Sequence, residues 1–295
     1  MAKANVHHAQ RTETGVLAKR RAGGQAAGIL LHAVLIFGAL IMTLPFIWML
    51  LSAFKDLSQI FLVPPRWIPH PFIWSNFKNS WNYLPFGTAY FNSLYINVIV
   101  VAAQLVTCSM AAYAFAKIRF PLRDSLFVLF LATMMVPEQV TIIPLYLIMK
   151  WFGWIDTHLP LIVPSSLINA FGVFLLRQFV KSIPPELEEA AIVDGAGRWT
   201  LYSRITMPLI KPALSALGIF TFLGMWNSFF KPLIFLNSPE KFTVPMMLNQ
   251  FRGQYTTDWA LLMAASSIAI LPVLIVYMIG QRYIIEGVTL TGIKG

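Results

Sequence analysis

Residues 184–208 read PPELEEAAIVDGAGRWTLYSRITMP, a charged, helix-breaking stretch lodged between two long apolar runs. Pro184-Pro185 pre-sets the start of a helix, because proline at the first helical position lacks only a donor that would have no partner there. Glu186, Glu188 and Glu189 suit the positive end of that helix. Glu186 and Glu189, three apart, share one face, while Leu187, Ala190 and Ala191 cluster on another. The two alanines are small enough to let the helix lie deep in a groove. Asp194-Gly195-Ala196-Gly197 then breaks it, glycine permitting the positive φ of a sharp exit. A second short helix is predicted over 198–207, with Trp199, Tyr202 and Thr206 along one side and Pro208 and Pro212 ending it. The result is a helix–turn–helix with an acidic, small-residue tip and an aromatic base.

The flanks decide the class. Hydrophobic residues make up 57% of 295 positions and charged residues 12%, where a soluble domain carries about 25% charge. Apolar windows of about 20 residues, enough to cross a hydrocarbon core, recur along the chain. The predicted architecture is an all-α membrane protein with six transmembrane helices, at 29–54, 91–116, 126–149, 159–176, 213–236 and 260–279. The first run is too long for a signal-peptide core and is followed by no small-residue cleavage signature, so it is expected to persist in the mature chain. Pro137 and Pro144 are expected to bend the third span. With both termini cytoplasmic, fifteen of the 22 Lys and Arg residues fall inside and seven outside, the bias of the positive-inside rule. The net charge of +10 is therefore read as a topology signal with membrane lipid contact, and no nucleic-acid partner is expected. Cys108, the single cysteine, reads as a small packing residue. No metal site and no catalytic constellation is found, so the chain is expected to be non-catalytic.

Within the opening segment, Glu189-Ala190-Ala191 is followed after three residues by Gly195, and after nine more by Ile205-Thr206-Met207-Pro208. That order resembles the EAA motif of the membrane subunits of ABC importers, with Met207 where the family usually has leucine. The likeness extends through 111–116 (AAYAFA), Pro137-Glu138-Gln139, 174–179 (FLLRQF), 256–259 (TTDW) and 287–295 (GVTLTGIKG). It is strongest with the carbohydrate branch, in particular the second permease subunit of maltose-type transporters. The resemblance implies the ABC type I importer permease fold: a leader at 1–27, then a permease domain over 28–295 with a coupling loop at 181–211 and a tail at 287–295. It implies a second permease subunit, two ATPase subunits that bind the ATP and Mg this chain does not, and an extracytoplasmic solute-binding protein. The setting it implies is a bacterial or archaeal cytoplasmic membrane.

By the same resemblance, Glu188, Glu189, Ala190, Ala191, Asp194, Gly195, Ile205, Met207 and Pro208 serve ATPase coupling, with Ile205–Pro208 anchoring the second helix to the spans. Asn249, Gln250, Phe251, Arg252, Gly253, Gln254 and Tyr255 belong to an outer loop that contacts the binding protein. Asn227, Ser228 and Lys231 are assigned to the substrate pathway, where the family commonly has an acidic residue at 228 and tryptophan at 231. Both departures add positive charge. One reading makes Lys231 a cation for an acidic, uronate-type oligosaccharide; the other lets it snorkel to the outer interface, leaving a neutral oligosaccharide or a sugar phosphate as cargo. Glu138, a carboxylate inside a span, opens a different class, a proton-coupled secondary transporter; the alternative is that it serves the broken helix or a subunit interface.

Overall fold

The computed structural model describes residues 28–167, 169–253 and 257–292, with side chains as far as Gln281. The leader 1–27 lies outside the described residues, as do Gln254, Tyr255 and the last residues of the tail. Every regular element described is helical. α1 (Gly28–Ser52) is a 25-residue apolar rod, unburied along its most apolar stretch and met near its end by Trp67, whose ring centre stands 5.0 Å from that of Trp48. α2 (Leu57–Ile60) and α3 (Ser75–Tyr83) lie in the loop that follows. There Phe54, Trp74 and Phe77 gather, with ring centroids 4.7 and 4.9 Å from Phe54. Asn76 ties the cluster to the end of α1 by donating to the carbonyls of Ala53 and Lys55.

α4 (Phe86–Lys117) is the central mast, 32 residues long. α8 (Ala170–Ser182), α12 (Lys211–Trp226) and α7 (Leu159–Ser166) all pack along it. Gly172 makes the tightest of these crossings possible. A Cβ there would stand 3.0 Å from Cys108 Sγ and 3.1 Å from a Leu217 methyl, so α8 lies against α4 and α12 only because that side chain is missing. Cys108 is fully buried at this contact, as the packing role expected of it requires.

Among the described residues, four helical stretches are long and apolar enough to cross a membrane: Gly28–Ser52, Phe86–Lys117, Leu159–Ser182 and Trp259–Gln281. The count reaches six only if two bent pairs each form one span. The first pair is α5 (Arg123–Ala132), with its 3₁₀ turn Thr133–Met135, and α6 (Glu138–Trp151), bent by 98°. Proline is the cause. Val136 is held extended by the proline after it, and Pro137 has no N–H to carry the helix onward. The expected bend is thus nearly a right angle, and Pro144 sits inside α6 without breaking it.

The fifth predicted span, 213–236, is corrected. α12 stops at Trp226, and α13 (Phe230–Phe235) begins after an irregular turn at 227–229. Pro232 accounts for it: continued helix would drive its ring into the carbonyl of Ser228, four residues back. Ahead of α12, α9 (Pro185–Val193), α10 (Arg198–Thr200), a π-helical turn Leu201–Thr206 and α11 (Met207–Leu209) form the charged segment. Here the second helix reaches Leu209 and breaks at Ile210, beyond the expected end at 207; the wider π turn comes just before Pro208. α14 (Val244–Gln250), α15 (Trp259–Ala269) and α16 (Leu271–Gly292) complete the chain. α16 runs through the point where the tail was expected to begin.

Candidate functional site

The segment 184–209 is built as its residues dictate. Pro184 is extended and Pro185 occupies the first turn of α9. At the other end the Ala196 N–H donates to Ala191 O and the Gly195 N–H to Ile192 O, both at 2.9 Å, with Gly195 at φ +85°. This is the paired-bond exit that needs a left-handed residue. α9 buries none of its residues. Glu186, Glu189, Ala190 and Asp194 are exposed, and so are Leu187, Ile192, Val193 and Trp199. α9 thus presents exposed Leu187, Ile192 and Val193 beside its acidic residues.

Glu188 departs from the expected set. Its carboxylate turns inward to Lys117 Nζ at 3.3 Å, with both side chains about 15% exposed, and Lys117 also donates to Ile183 O. Glu188 therefore joins α9 to the end of α4. The anchoring of the second helix is likewise redistributed. Leu201, Tyr202 and Thr206 are buried, and the Tyr202 hydroxyl is 2.8 Å from Ser109 Oγ on α4. Ile205 and Met207 are half-buried at the edge of that cluster, and Pro208 is exposed. Trp199, though 67% exposed, keeps its ring 5.3 Å from that of Tyr202, so the expected aromatic side is present, with Thr206 buried. Arg177 braces the same region. It donates to Phe115 O and to Asp124 at 3.2 Å, with its guanidinium 3.9 Å from the Phe127 ring centre. Nothing in the local sequence singled out Arg177 or Ser109, because each acts on a partner more than fifty residues away.

A second site lies among α4, α6, α7, α12 and α13. A cavity of about 400 Å³ is lined by Gln104, Glu138, Ser165, Asn169, Ser228 and Lys231, among others. A smaller recess of about 180 Å³ adjoins it, sharing Gln104 and Asn169 and adding Thr221 and Phe220. Gln104 is held on both sides, donating to Ser165 O at 2.7 Å and accepting from Thr221 at 2.9 Å. Asn169 caps α8. Lys231 Nζ stands 2.8 Å from a Glu138 carboxylate oxygen. Neither expectation for Lys231 anticipated this: it is neither an unpaired cation nor a snorkelling one. The bend at Pro137 and the break before Phe230 bring the two charges together. Of the three assigned pathway residues, Ser228 and Lys231 line the cavity, whereas the Asn227 amide folds back on Leu223 O.

The outer loop is more firmly built than its polar composition suggests. Asp156, at φ +57°, accepts from the N–H groups of Asn237 and Ser238, the Ser238 hydroxyl and Lys241 Nζ. These donors, the Ser238 hydroxyl foremost, hold its carboxyl well below the usual carboxylate range. Asn92 reaches from α4 to the carbonyls of Glu240 and Phe242, and Ser93 Oγ accepts from Val244 N–H at 2.8 Å. α14 is thereby pinned. Asn249, Gln250, Arg252 and Gly253 are exposed on it and after it, but Phe251 is buried against Tyr83 and Phe86. Phe251 is therefore an anchor of this loop.

Comparison with known proteins agrees with this architecture. Residues 104–289 match the family described as binding-protein-dependent transport system inner membrane component. The chain is 34% identical to an arabinooligosaccharides transport system permease protein of Bacillus subtilis, over 87% of this chain and 92% of that one. It is 33% identical to a diacetylchitobiose uptake system permease protein of Streptomyces coelicolor, over 89% and 95%. Its fold matches a chain in the crystal structure of a bacterial ABC transporter involved in the import of the acidic polysaccharide alginate. There the TM-score is 0.78 at 24% identity, covering 88% of this chain and 96% of that chain. Helices, loop and relatives converge: the chain belongs to the binding-protein-dependent transport system inner membrane components, as an ABC permease of the carbohydrate-uptake kind.

Proposed function

We propose that this chain is one of two permease subunits of an ATP-driven oligosaccharide importer, and that α9 to α11 receive the motion of the ATPases. The observation that carries the reading is the exposed α9, acidic and apolar at once, braced to α4 through Lys117–Glu188 and Tyr202–Ser109. A lever needs such bracing, since motion is transmitted through packed elements with discrete arrangements. Glu189, exposed at the tip, supplies a carboxylate for a basic group of the ATPase; catalysis belongs to that partner. The exposed Asn249, Gln250 and Arg252 on the pinned outer loop suit contact with the external binding protein. Membership in a binding-protein-dependent family also argues against Glu138 as a proton carrier. The test of coupling is Glu189→Lys in the reconstituted importer. The substitution is expected to weaken co-purification of the ATPase subunits and to abolish cargo-stimulated ATP hydrolysis. Unchanged assembly with unchanged stimulation refutes the assignment.

The cargo divides on Lys231. Paired with Glu138, it leaves the cavity without net charge, surrounded by amides and hydroxyls that suit a neutral, polyhydroxylated chain. A uronate would have to displace Glu138 from Lys231 and then lie beside that half-exposed carboxylate in the cavity wall, so like-charge repulsion cancels much of the electrostatic gain. The geometry therefore favours a neutral oligosaccharide over an acidic one. Glu138→Gln separates the two: faster uptake of a charged oligosaccharide supports the uronate reading, and selective loss of neutral uptake supports the other.

A further inference from the structure

Where α4 ends against the root of the coupling segment, two cavities of opposite character lie side by side. One, of about 480 Å³, is a basic cup to which Lys117, Arg119 and Arg198 contribute, with Glu188 the one carboxylate in its wall. The other, of about 260 Å³, is a slot lined by Met110, Ala114, Ile118, Trp199 and Tyr202. They share Tyr113, Ile118 and Arg198.

The charges do not cancel. Glu188 is committed to Lys117, while Arg119 and Arg198 are exposed and form no salt bridge among the described residues. Two guanidiniums thus face a cup in which no carboxylate among the described residues pairs with them, and a guanidinium fork matches a phosphate in geometry and charge. The slot runs the other way. Met110 lies one heptad nearer the middle of α4 than Lys117, about 10 Å deeper at the helical rise. An apolar slot that starts at a basic cup and follows a spanning helix inward has the polarity of an amphiphile.

We infer that an anionic phospholipid occupies this site, its phosphate held by Arg119 and Arg198 and one acyl chain lying in the slot against Met110 and Trp199. A free phosphate or sugar phosphate would fill the cup and leave the slot empty. The charge distribution puts this end of α4 on the cytoplasmic side, where anionic headgroups meet basic juxtamembrane residues. The inference is independent of the cargo. It places a lipid at the joint between the spanning mast and the coupling helices.

The experiment uses the protein purified in mild detergent with whatever subunits accompany it, titrated with phosphatidylglycerol or phosphatidylcholine brominated in the acyl chains. The part of tryptophan quenching that disappears in Trp199→Phe reports the slot. Phosphatidylglycerol is expected to quench at roughly thirty-fold lower mole fraction than phosphatidylcholine, the scale set by two arginines near a charged headgroup. The double variant Arg119→Gln/Arg198→Gln is expected to erase that preference while leaving the phosphatidylcholine curve and the melting temperature in place. Equal quenching by both lipids overturns the proposal, as does a preference that survives the double variant. A Trp199 quenched by neither lipid also overturns it, and puts a protein partner in the slot.

Discussion

Gly195 offers the sharpest test of the coupling segment, because its cost can be worked out in isolation. Its φ is +85°, and a Cβ built on it meets nothing within 4 Å. Substitution therefore meets no steric wall, and the whole penalty is backbone. A left-handed L-residue costs about 1–2 kcal/mol, partly offset by about 0.4–1 kcal/mol from the stiffer unfolded chain. The net effect of Gly195→Ala is about 1 kcal/mol, or roughly a five-fold loss in the population of the closed turn. Gly197 is the control. Its φ of −78° is ordinary and its surroundings are equally open, so Gly197→Ala is expected to leave the turn at Gly195 closed, its cost confined to the N-cap of α10 that Gly197 forms. Hydrogen exchange reads this directly at the Gly195 and Ala196 amides, which close the turn. Exchange should quicken roughly five-fold in Gly195→Ala, less in Gly195→Asn because asparagine tolerates this conformation, and not at all in Gly197→Ala. Equal exchange in the two alanine variants refutes the argument from φ.

Three other perturbations follow from the contacts. Gly172→Leu should cost about 1–3 kcal/mol by overpacking, because its side chain meets Cys108 and Leu217; a thermal melt unchanged from wild type counts against that crossing. Asp156 has a depressed carboxyl pKa in the fold. Its contribution is fully present above the ordinary carboxylate value of about 3.9 and is lost only as pH falls through the lower folded value. Between pH 5 and 8 the outer loop should thus show constant proteolytic resistance, and Asp156→Asn should lower it throughout; a midpoint inside that range contradicts the knot. Ser109→Ala and Tyr202→Phe, combined in a double-mutant cycle on melting temperature, should show that the second substitution adds little once the first is made. Strict additivity would mean the two hydroxyls do not work together.

Much of the architecture was legible because it is local. Apolar run length marks a spanning helix wherever the partners are, and the Pro-Pro entry and Asp-Gly exit of α9 are written within a dozen residues. The break at 227–229 was equally local, signalled by Pro232, but a continuous apolar run masked it. What could not be read were pairings fixed by how helices cross. Glu138 and Lys231 each looked like a lone charge in a span, and only the two helix breaks bring them to 2.8 Å. Lys55 shows the same limit. Counted by charge as an outer cation, it is fully buried with its ammonium 3.8 Å above the Trp48 ring, and burial pushes its pKa down.

Those crossings converge on one stretch of α4, and that convergence joins the coupling segment to the cavity. Gln104 spans the cavity wall from Ser165 to Thr221. Cys108 meets Asn169 and the bare backbone of Gly172. Ser109 holds Tyr202, and Lys117 holds Glu188. From Gln104 to Lys117 is about 20 Å of uninterrupted helix at the usual rise, with a partner engaged at nearly every turn. A displacement of α9 to α11 therefore cannot be absorbed in a loop before it reaches α4, and α4 cannot shift without moving Gln104 against Ser165 and Thr221. Contiguity alone is not coupling. On the function proposed above, α4 is the element through which a push on α9 to α11 would act on the polar cavity.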